Sequence, residues 1–308
     1  MIRFATIGSN VIVDSFLRGA AHDPRFQLQA VYSRTQERAT EFAAKHGAKQ
    51  TFTSLEALAA CPQVDAVYIA SPNIFHAPQA ILMMEHGKHV LCEKPLAPSF
   101  LEGKAMIVAA RRYGVVLMEA MKTTLLPNFF RVKETLPCIG TVRRVFVQFC
   151  QYSSRYDNFK KGVVSNVFQS GMGGGALRDL GVYGLALVVH LFGMPRQLQT
   201  SKMLLSTGVD GQGSVLMGYP EMEAVVVFSK ISDSFLPSEI QGENGRILIG
   251  KLSTMEDPVL VMRDGTATEL SVPTIADEMY YQVKEFIDVI ESGAKESAVN
   301  THQRSLDV

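Results

Sequence analysis

The 308-residue chain has no tryptophan, only four cysteines and no net formal charge, its 30 Lys and Arg side chains balancing 30 Asp and Glu. Each scarcity removes a class of function. Balanced charge without a long basic run argues against a nucleic-acid or anionic-membrane surface. Cys61, Cys92, Cys138 and Cys150 form no CxxC pair and no Cys/His set at metal spacing, which speaks against a structural metal and suits a reducing compartment. No window approaches the roughly 20 apolar residues of a membrane span, and the first residues lack the basic-then-apolar order of a signal peptide. The expectation is a cytoplasmic protein with a small-molecule partner and neither nucleic acid, membrane nor metal. Apolar residues make up 47% of the chain and charged ones 19%, enough for a large core and too little charge for disorder.

From Ile2 to Glu119 short apolar runs (2–7, 27–32, 66–70, 89–92, 115–119) alternate with helical patterns (11–21, 35–46, 54–60, 76–86, 99–113). Repeated strand–helix units dictate a doubly wound parallel sheet. The pattern changes after Lys122. A helix over 127–136 and a strand over 141–150 precede a polar, aromatic loop and a long apolar helix opened by the glycines at 173–175. Alternating runs with Asp-Gly, Tyr-Pro and Asn-Gly turns between Gln197 and Val272 predict a mostly antiparallel sheet. The α/β chain thus divides into 1–122 and an α+β domain at 123–308, whose amphipathic helix 277–292 is expected to pack back on the first domain through Tyr280, Val283, Phe286, Ile287 and Ile290.

Within Gly87-Lys88-His89-Val90-Leu91-Cys92-Glu93-Lys94-Pro95, a buried strand ends in two opposite charges and a proline. Pro95 keeps Lys94 extended, at the carboxyl end of a strand where open α/β sheets bind ligands. On spacing alone, a surface Lys-Pro turn accounts for it equally well. Together with Gly173-Gly174-Gly175-Ala176-Leu177-Arg178-Asp179-Leu180-Gly181-Val182-Tyr183, however, it resembles the Gfo/Idh/MocA oxidoreductase family, from Ile2 to about Gly293. Tyrosine at 183, where most members have histidine, resembles the glucose-fructose oxidoreductase and dimeric dihydrodiol dehydrogenase branch. The resemblance implies an N-terminal Rossmann domain, a cis Lys94–Pro95 bond, and a homodimer formed through the C-terminal sheet face carrying Val225, Val227, Val259 and Val261. Family chains continue from a segment like 300–308 into another helix, and this sequence stops where that helix is expected to begin, a departure that leaves open whether the C-terminus is complete.

The first turn, Ile7-Gly8-Ser9-Asn10-Val11-Ile12-Val13, keeps one of the three glycines of a dinucleotide fingerprint. By itself it reads as a plain turn. Its place after the first strand, the units that follow and the resemblance assign Gly8, Ser9, Asn10 and Val11 to a pyrophosphate, with Asn10 expected to take a left-handed turn in place of glycine. The second strand ends in Ser33-Arg34 without the acid that would hold a ribose 2′-hydroxyl. Ser33, Arg34 and Arg38 instead suit a 2′-phosphate, favouring NADP(H) over NAD(H); a solvated basic helix start is the alternative. Ser71, Pro72 and Asn73 match the family segment beside the nicotinamide ribose. His76 is read equally as a cofactor contact or a helix-start polar residue, and Glu93 and Lys94 complete the set.

Asp179 and Tyr183 lie four apart in a helix and so share a face. A tyrosine in an apolar helix is most often core. The resemblance instead makes it the proton donor to a sugar, polyol or vicinal diol carbonyl, with Lys94 polarising the oxygen and Asp179 holding a neighbouring hydroxyl. Arg155, Tyr156, Asn166 and Phe168 are the candidates for shaping the substrate pocket. A non-catalytic nucleotide-sensing regulator on the same fold is the rival reading; the joint presence of Lys94, Asp179 and Tyr183 favours catalysis. On this reading NADPH binds more tightly than NADH, and Arg34→Ala narrows the gap by about 1–3 kcal/mol. Titration of both cofactors checks this, and equal dissociation constants in the unmodified protein contradict it.

Overall fold

The computed structural model describes residues 1–308 in two compact units, Met1–Lys122 with Ile275–Leu306 and Thr123–Thr274 with Asp307–Val308. The first unit begins β1 (Ile2–Ile7), α1 (Val11–Ala20), β2 (Phe26–Tyr32), α2 (Gln36–His46), β3 (Gln50–Phe52) and α3 (Leu55–Ala59). It continues with β4 (Ala66–Ile69), α4 (His76–Glu85), β5 (His89–Glu93), α5 (Phe100–Tyr113) and β6 (Leu117–Ala120). The strands form one parallel sheet in the order β3-β2-β1-β4-β5-β6. Sequence periodicity misses β3, a three-residue edge strand with a single apolar side chain. Local chemistry sets the helix limits. Thr35, Ser54 and Ser99 accept hydrogen bonds from the third residue of α2, α3 and α5, and Gly47 and Gly114 close α2 and α5 in left-handed conformation,.

Burial on both faces explains the continuous apolar strands: β4 is wholly buried, and Val90, Leu91 and Cys92 in β5 have no exposure. One face of the sheet is covered by α1, where the Phe16 ring stacks on Tyr68 at 3.7 Å. The chain returns to this unit late. Tyr280–Glu291 buries Val283, Phe286, Ile287 and Val289, with the Phe286 ring 5.9 Å from Phe4. Arg25 ties β2 to the same helix through Asp288 and Glu291, at 2.7 and 2.8 Å.

The second unit holds α6 (Pro127–Thr135), β7 (Val142–Cys150), α7 (Tyr156–Lys160), a π-turn (Leu177–Gly181) and α8 (Val182–Phe192). Then come β8 (Gln197–Leu204), β9 (Asp210–Gly218), β10 (Glu223–Ser229), β11 (Ser238–Gly242), β12 (Gly245–Ile249), β13 (Val259–Met262) and β14 (Ala267–Glu269). The sheet order β14-β13-β12-β11-β7-β10-β9-β8 is antiparallel except at β7–β10. The antiparallel run from 197 to 272 is therefore interrupted, because β7 inserts between β10 and β11. One face carries Val145, Val147, Ala224, Val226, Phe228 and Ile240 and is buried. Helix α8 lies close on that face: a Cβ at Gly184 would stand 2.6 Å from Val226 Cγ1.

The stretch Ser170–Phe192 corrects one expectation. Its 23 residues are long and apolar enough to cross a membrane, yet 67% of its most apolar window is buried, as suits a core helix. Nor is it the uninterrupted helix expected from 174 onward. A 3₁₀ turn (170–172) and the π-turn precede α8.

At the carboxyl end of the parallel sheet two glutamates are buried. Glu93 accepts the Tyr68 hydroxyl at 2.6 Å, and Glu119 accepts the Leu96 amide at 2.9 Å. Burial pushes both pKa values above the usual 4.5, outweighing the attraction of Lys94 at Glu93 and the Ser305 hydrogen bond at Glu119. A raised carboxyl pKa favours the folded state at low pH, and that contribution is lost as pH climbs from the unfolded value through the folded one. Glu119→Gln keeps an acceptor for Leu96 and cannot ionise. It should melt about 2–4 °C above the unmodified protein at pH 8, the gap closing toward pH 4; a pH-independent difference in thermal unfolding contradicts this.

Candidate active site

The polar residues of the first unit collect where β1, β2, β4 and β5 end. Gly8 has φ 119°, and a Cβ there would stand 2.9 Å from Ala70 O, so the turn after β1 requires glycine. Asn10 does not take the left-handed turn expected of it. It is extended (φ −110°) and caps α1, its Oδ1 accepting from Ile12 and Val13 and its Nδ2 donating to Ala70 O. The asparagine thus replaces the second fingerprint glycine by fastening the turn through its side chain. Val11 is 77% exposed at the helix start. Arg38 reaches back from α2 to donate to Ser9 Oγ and Ser9 O, both at 2.7 Å. Ser33 is buried, and Arg34 stands exposed at the end of β2. These features fit a dinucleotide: a turn that excludes Cβ, and an exposed guanidinium in place of an acid.

After β4, Ser71 donates to Gln79 Oε1 at 2.7 Å, Pro72 is extended (φ −57°, ψ 144°), and Asn73 opens a 3₁₀ turn. His76, read equally as a cofactor contact or a helix-start polar residue, lies inside the protein. It has no exposure, and its ring nitrogens lie 3.0 Å from Pro95 O and from Ser71 O. A neutral imidazole donates to only one of these. Burial lowers its pKa against the pull of the two carbonyls, and Lys94 adds to the lowering. His76 therefore joins the Ser71 and Pro95 segments from behind. Glu93, also read as a cofactor contact, is turned inward to Tyr68. Lys94 is half-buried at the end of β5, and its bond to Pro95 is cis.

In the second unit Asp179 lies within the π-turn and Tyr183 in the first turn of α8. Such turns insert a residue into the helical ladder and often occur at functional sites. The turn is held from outside: Asp210 Oδ2 accepts the Leu177 amide at 2.6 Å. Tyr183 is 9% exposed, its ring 5.5 Å from that of Phe149. Asp179 pairs with the ammonium of Lys230, just after β10. Phe168, expected to shape the substrate surface, is instead fully buried beneath that ammonium and packs against Tyr156 and Phe159. Arg155 and Asn166 are exposed, one immediately before α7 and the other opening a 3₁₀ turn. Pairing with Asp179 thus brings in Lys230, which motif reading missed; the signal for it was a lysine directly after the buried alternation of β10. No group of three His, Cys, Asp or Glu side chains stands close enough to hold a metal.

Residues 2–121 match the family model for the oxidoreductase family with NAD-binding Rossmann fold, and residues 138–248 match the GFO/IDH/MocA C-terminal domain. The chain is 51% identical over 306 residues to the scyllo-inositol 2-dehydrogenase (NADP(+)) of Bacillus subtilis, covering 99% of this chain and 93% of that protein. It is 32% identical to the trans-1,2-dihydrobenzene-1,2-diol dehydrogenase of Danio rerio, covering 91% and 84%. A 3-ketoreductase from Actinomadura kijaniata, solved in complex with NADP and TDP-benzene, has a TM-score of 0.86 at 25% identity, covering 99% of this chain and 94% of that one. Two family models over most of the chain, and relatives of this identity and coverage, place the protein in the Gfo/Idh/MocA family of oxidoreductases.

Proposed function

We propose that this protein is an NADP(H)-dependent oxidoreductase that interconverts a hydroxyl and a carbonyl group on a polyol, sugar or vicinal diol. The observation that carries the reading is the joint presence of Lys94 at the end of β5, Asp179 in the π-turn and Tyr183 in α8. The exposed Arg34 and the acid-free end of β2 support NADP over NAD, in keeping with the NADP named for the Bacillus subtilis relative and the Actinomadura ketoreductase complex. Gly8, Ser9, Asn10 and Val11 hold the pyrophosphate, Ser33 and Arg34 the 2′-phosphate, and Ser71, Pro72, Asn73 and Lys94 the nicotinamide end. Arg38 acts by bracing Ser9.

When bound, the nicotinamide supplies or takes the hydride. In the reductive direction Tyr183 gives its phenolic proton to the carbonyl oxygen, and the role assigned to Lys94 is to stabilise the negative charge developing on that oxygen. Asp179 accepts a hydrogen bond from a neighbouring hydroxyl, which orients the carbon that gains the hydride. Arg155, Tyr156 and Asn166 border the substrate.

Half-buried valines 225, 227, 259 and 261 on the face of the eight-stranded sheet turned from α8 support a two-fold homodimer through that face. Four free cysteines without a disulfide suit a cytoplasmic protein. Light scattering at micromolar concentration should give the mass of two chains; a monomer there contradicts the dimer.

Spectrophotometric reduction of NADP⁺ with scyllo-inositol and a panel of polyols and diols tests the activity, and a protein that binds NADPH but turns over none of them is the sensor of the rival reading. Tyr183→Phe keeps the ring and its packing on Phe149 but removes the proton. It should bind NADPH normally while kcat falls about 10²–10⁴-fold. Retained activity would move the proton donor to Lys94 or a water.

A further inference from the structure

Lys230 is the charged side chain that the reaction as described leaves unused. Only 5% of it is exposed. Its backbone is fastened at both ends, the amide donating to Gly211 O at 2.8 Å and the carbonyl accepting from Ser153 at 2.9 Å. Its ammonium lies 5.8 Å from the centre of the Phe168 ring, and that ring rests against Tyr156 and Phe159 at 5.8 and 5.0 Å. The aromatic floor fixes the position of the ammonium, and the ammonium donates to Asp179 Oδ2.

The pair is asymmetric: 36% of the Asp179 side chain is exposed against the 5% of its partner. A buried ammonium is tolerated only with a counter-charge; the aspartate supplies it and is thereby anchored from below while part of it faces solvent. An anchored carboxylate offers acceptors and no donor. It rewards a hydroxyl next to the reacting carbon and gives nothing to a methylene or a carbonyl in that place. Because Asp179 sits in the π-turn, where the ordinary helical ladder is broken, its direction depends on this second partner more than that of a residue within α8.

We propose that Lys230 is a positioning residue: it aims the Asp179 carboxylate at the hydroxyl adjacent to the reacting carbon and so makes the enzyme selective for vicinal hydroxy-carbonyl over simple carbonyl substrates. This rests on the assignment of Asp179 to the substrate made above.

The test compares 2-hydroxycyclohexanone with cyclohexanone, each reduced with NADPH, since each has a single carbonyl and only one has the neighbouring hydroxyl. Lys230→Met keeps the stem and removes the charge, while Lys230→Arg keeps the charge over the Phe168 ring. For the hydroxyketone, Lys230→Met should lower kcat/KM about 10–100-fold, mainly through KM, the scale of one hydrogen bond to a charged group. The value for cyclohexanone should change less than about threefold, the dissociation constant of NADPH should not move, and Lys230→Arg should recover most of the loss. Equal losses on both ketones, no loss on either, or an unmodified enzyme that does not prefer the hydroxyketone would each overturn the proposal. If Lys230→Met does not fold, Lys230→Gln carries the same comparison. Absence of turnover on every substrate by the unmodified protein would instead refute the oxidoreductase reading, and this proposal with it.

Discussion

All strands of the six-stranded sheet run the same way, and the rest of the first unit follows from that constraint. Parallel strands demand crossover helices, and the helices bury both faces. Polar residues can then accumulate only at the strand ends. Gly8, Ser33, Ser71 and Lys94 therefore come to one edge from sequence positions as far apart as 86 residues (94 − 8). The supports behind that edge are also polar. Tyr68 holds Glu93, Leu96 and Ser305 hold Glu119, and His76 joins the segments that carry Ser71 and Pro95. Buried carboxyls and a buried imidazole cost desolvation that a purely structural loop would avoid, and such costs concentrate where a protein positions other groups.

The second unit solves a different problem. An antiparallel sheet buries one face easily, and α8 covers it at a distance set by Gly184 against Val226. A helix packed that closely would direct all its side chains by the ladder alone. The π-turn breaks the ladder at Asp179, and Asp210 and Lys230 supply from outside the control that the ladder gives up. Tyr183, one turn later, is back in regular helix and packs its ring conventionally on Phe149. Two neighbouring functional candidates are thus positioned by different means, one by tertiary partners and the other by helix geometry.

Much of this was legible in the sequence. Periodicity located five of the six parallel strands and their helices, because buried parallel strands are continuous apolar runs and the caps are local chemistry. Residues 302–307 form a short helix that the sequence pattern does not predict. The candidate residues of the site, Gly8, Arg34, Lys94 and the Asp179–Tyr183 pair, could be named from the sequence because each belongs to a local motif whose spacing constrains the backbone.

What stayed hidden depends on partners distant in sequence. Nothing near Asn10 shows that its side chain will cap α1 and reach Ala70, since that carbonyl lies 60 residues away. His76 was ambiguous because helix-start position does not reveal burial, and Phe168 because an aromatic in a loop can line a surface or underlie it. Lys230 was invisible for the same reason, its carboxylate partner being 51 residues earlier. Sequence alone determined the fold class, the family and the residue types at the strand ends, because backbone periodicity and local motifs encode them. Tertiary structure alone decided which polar groups face outward and which are spent holding others, because burial and ion pairing arise only when distant segments meet.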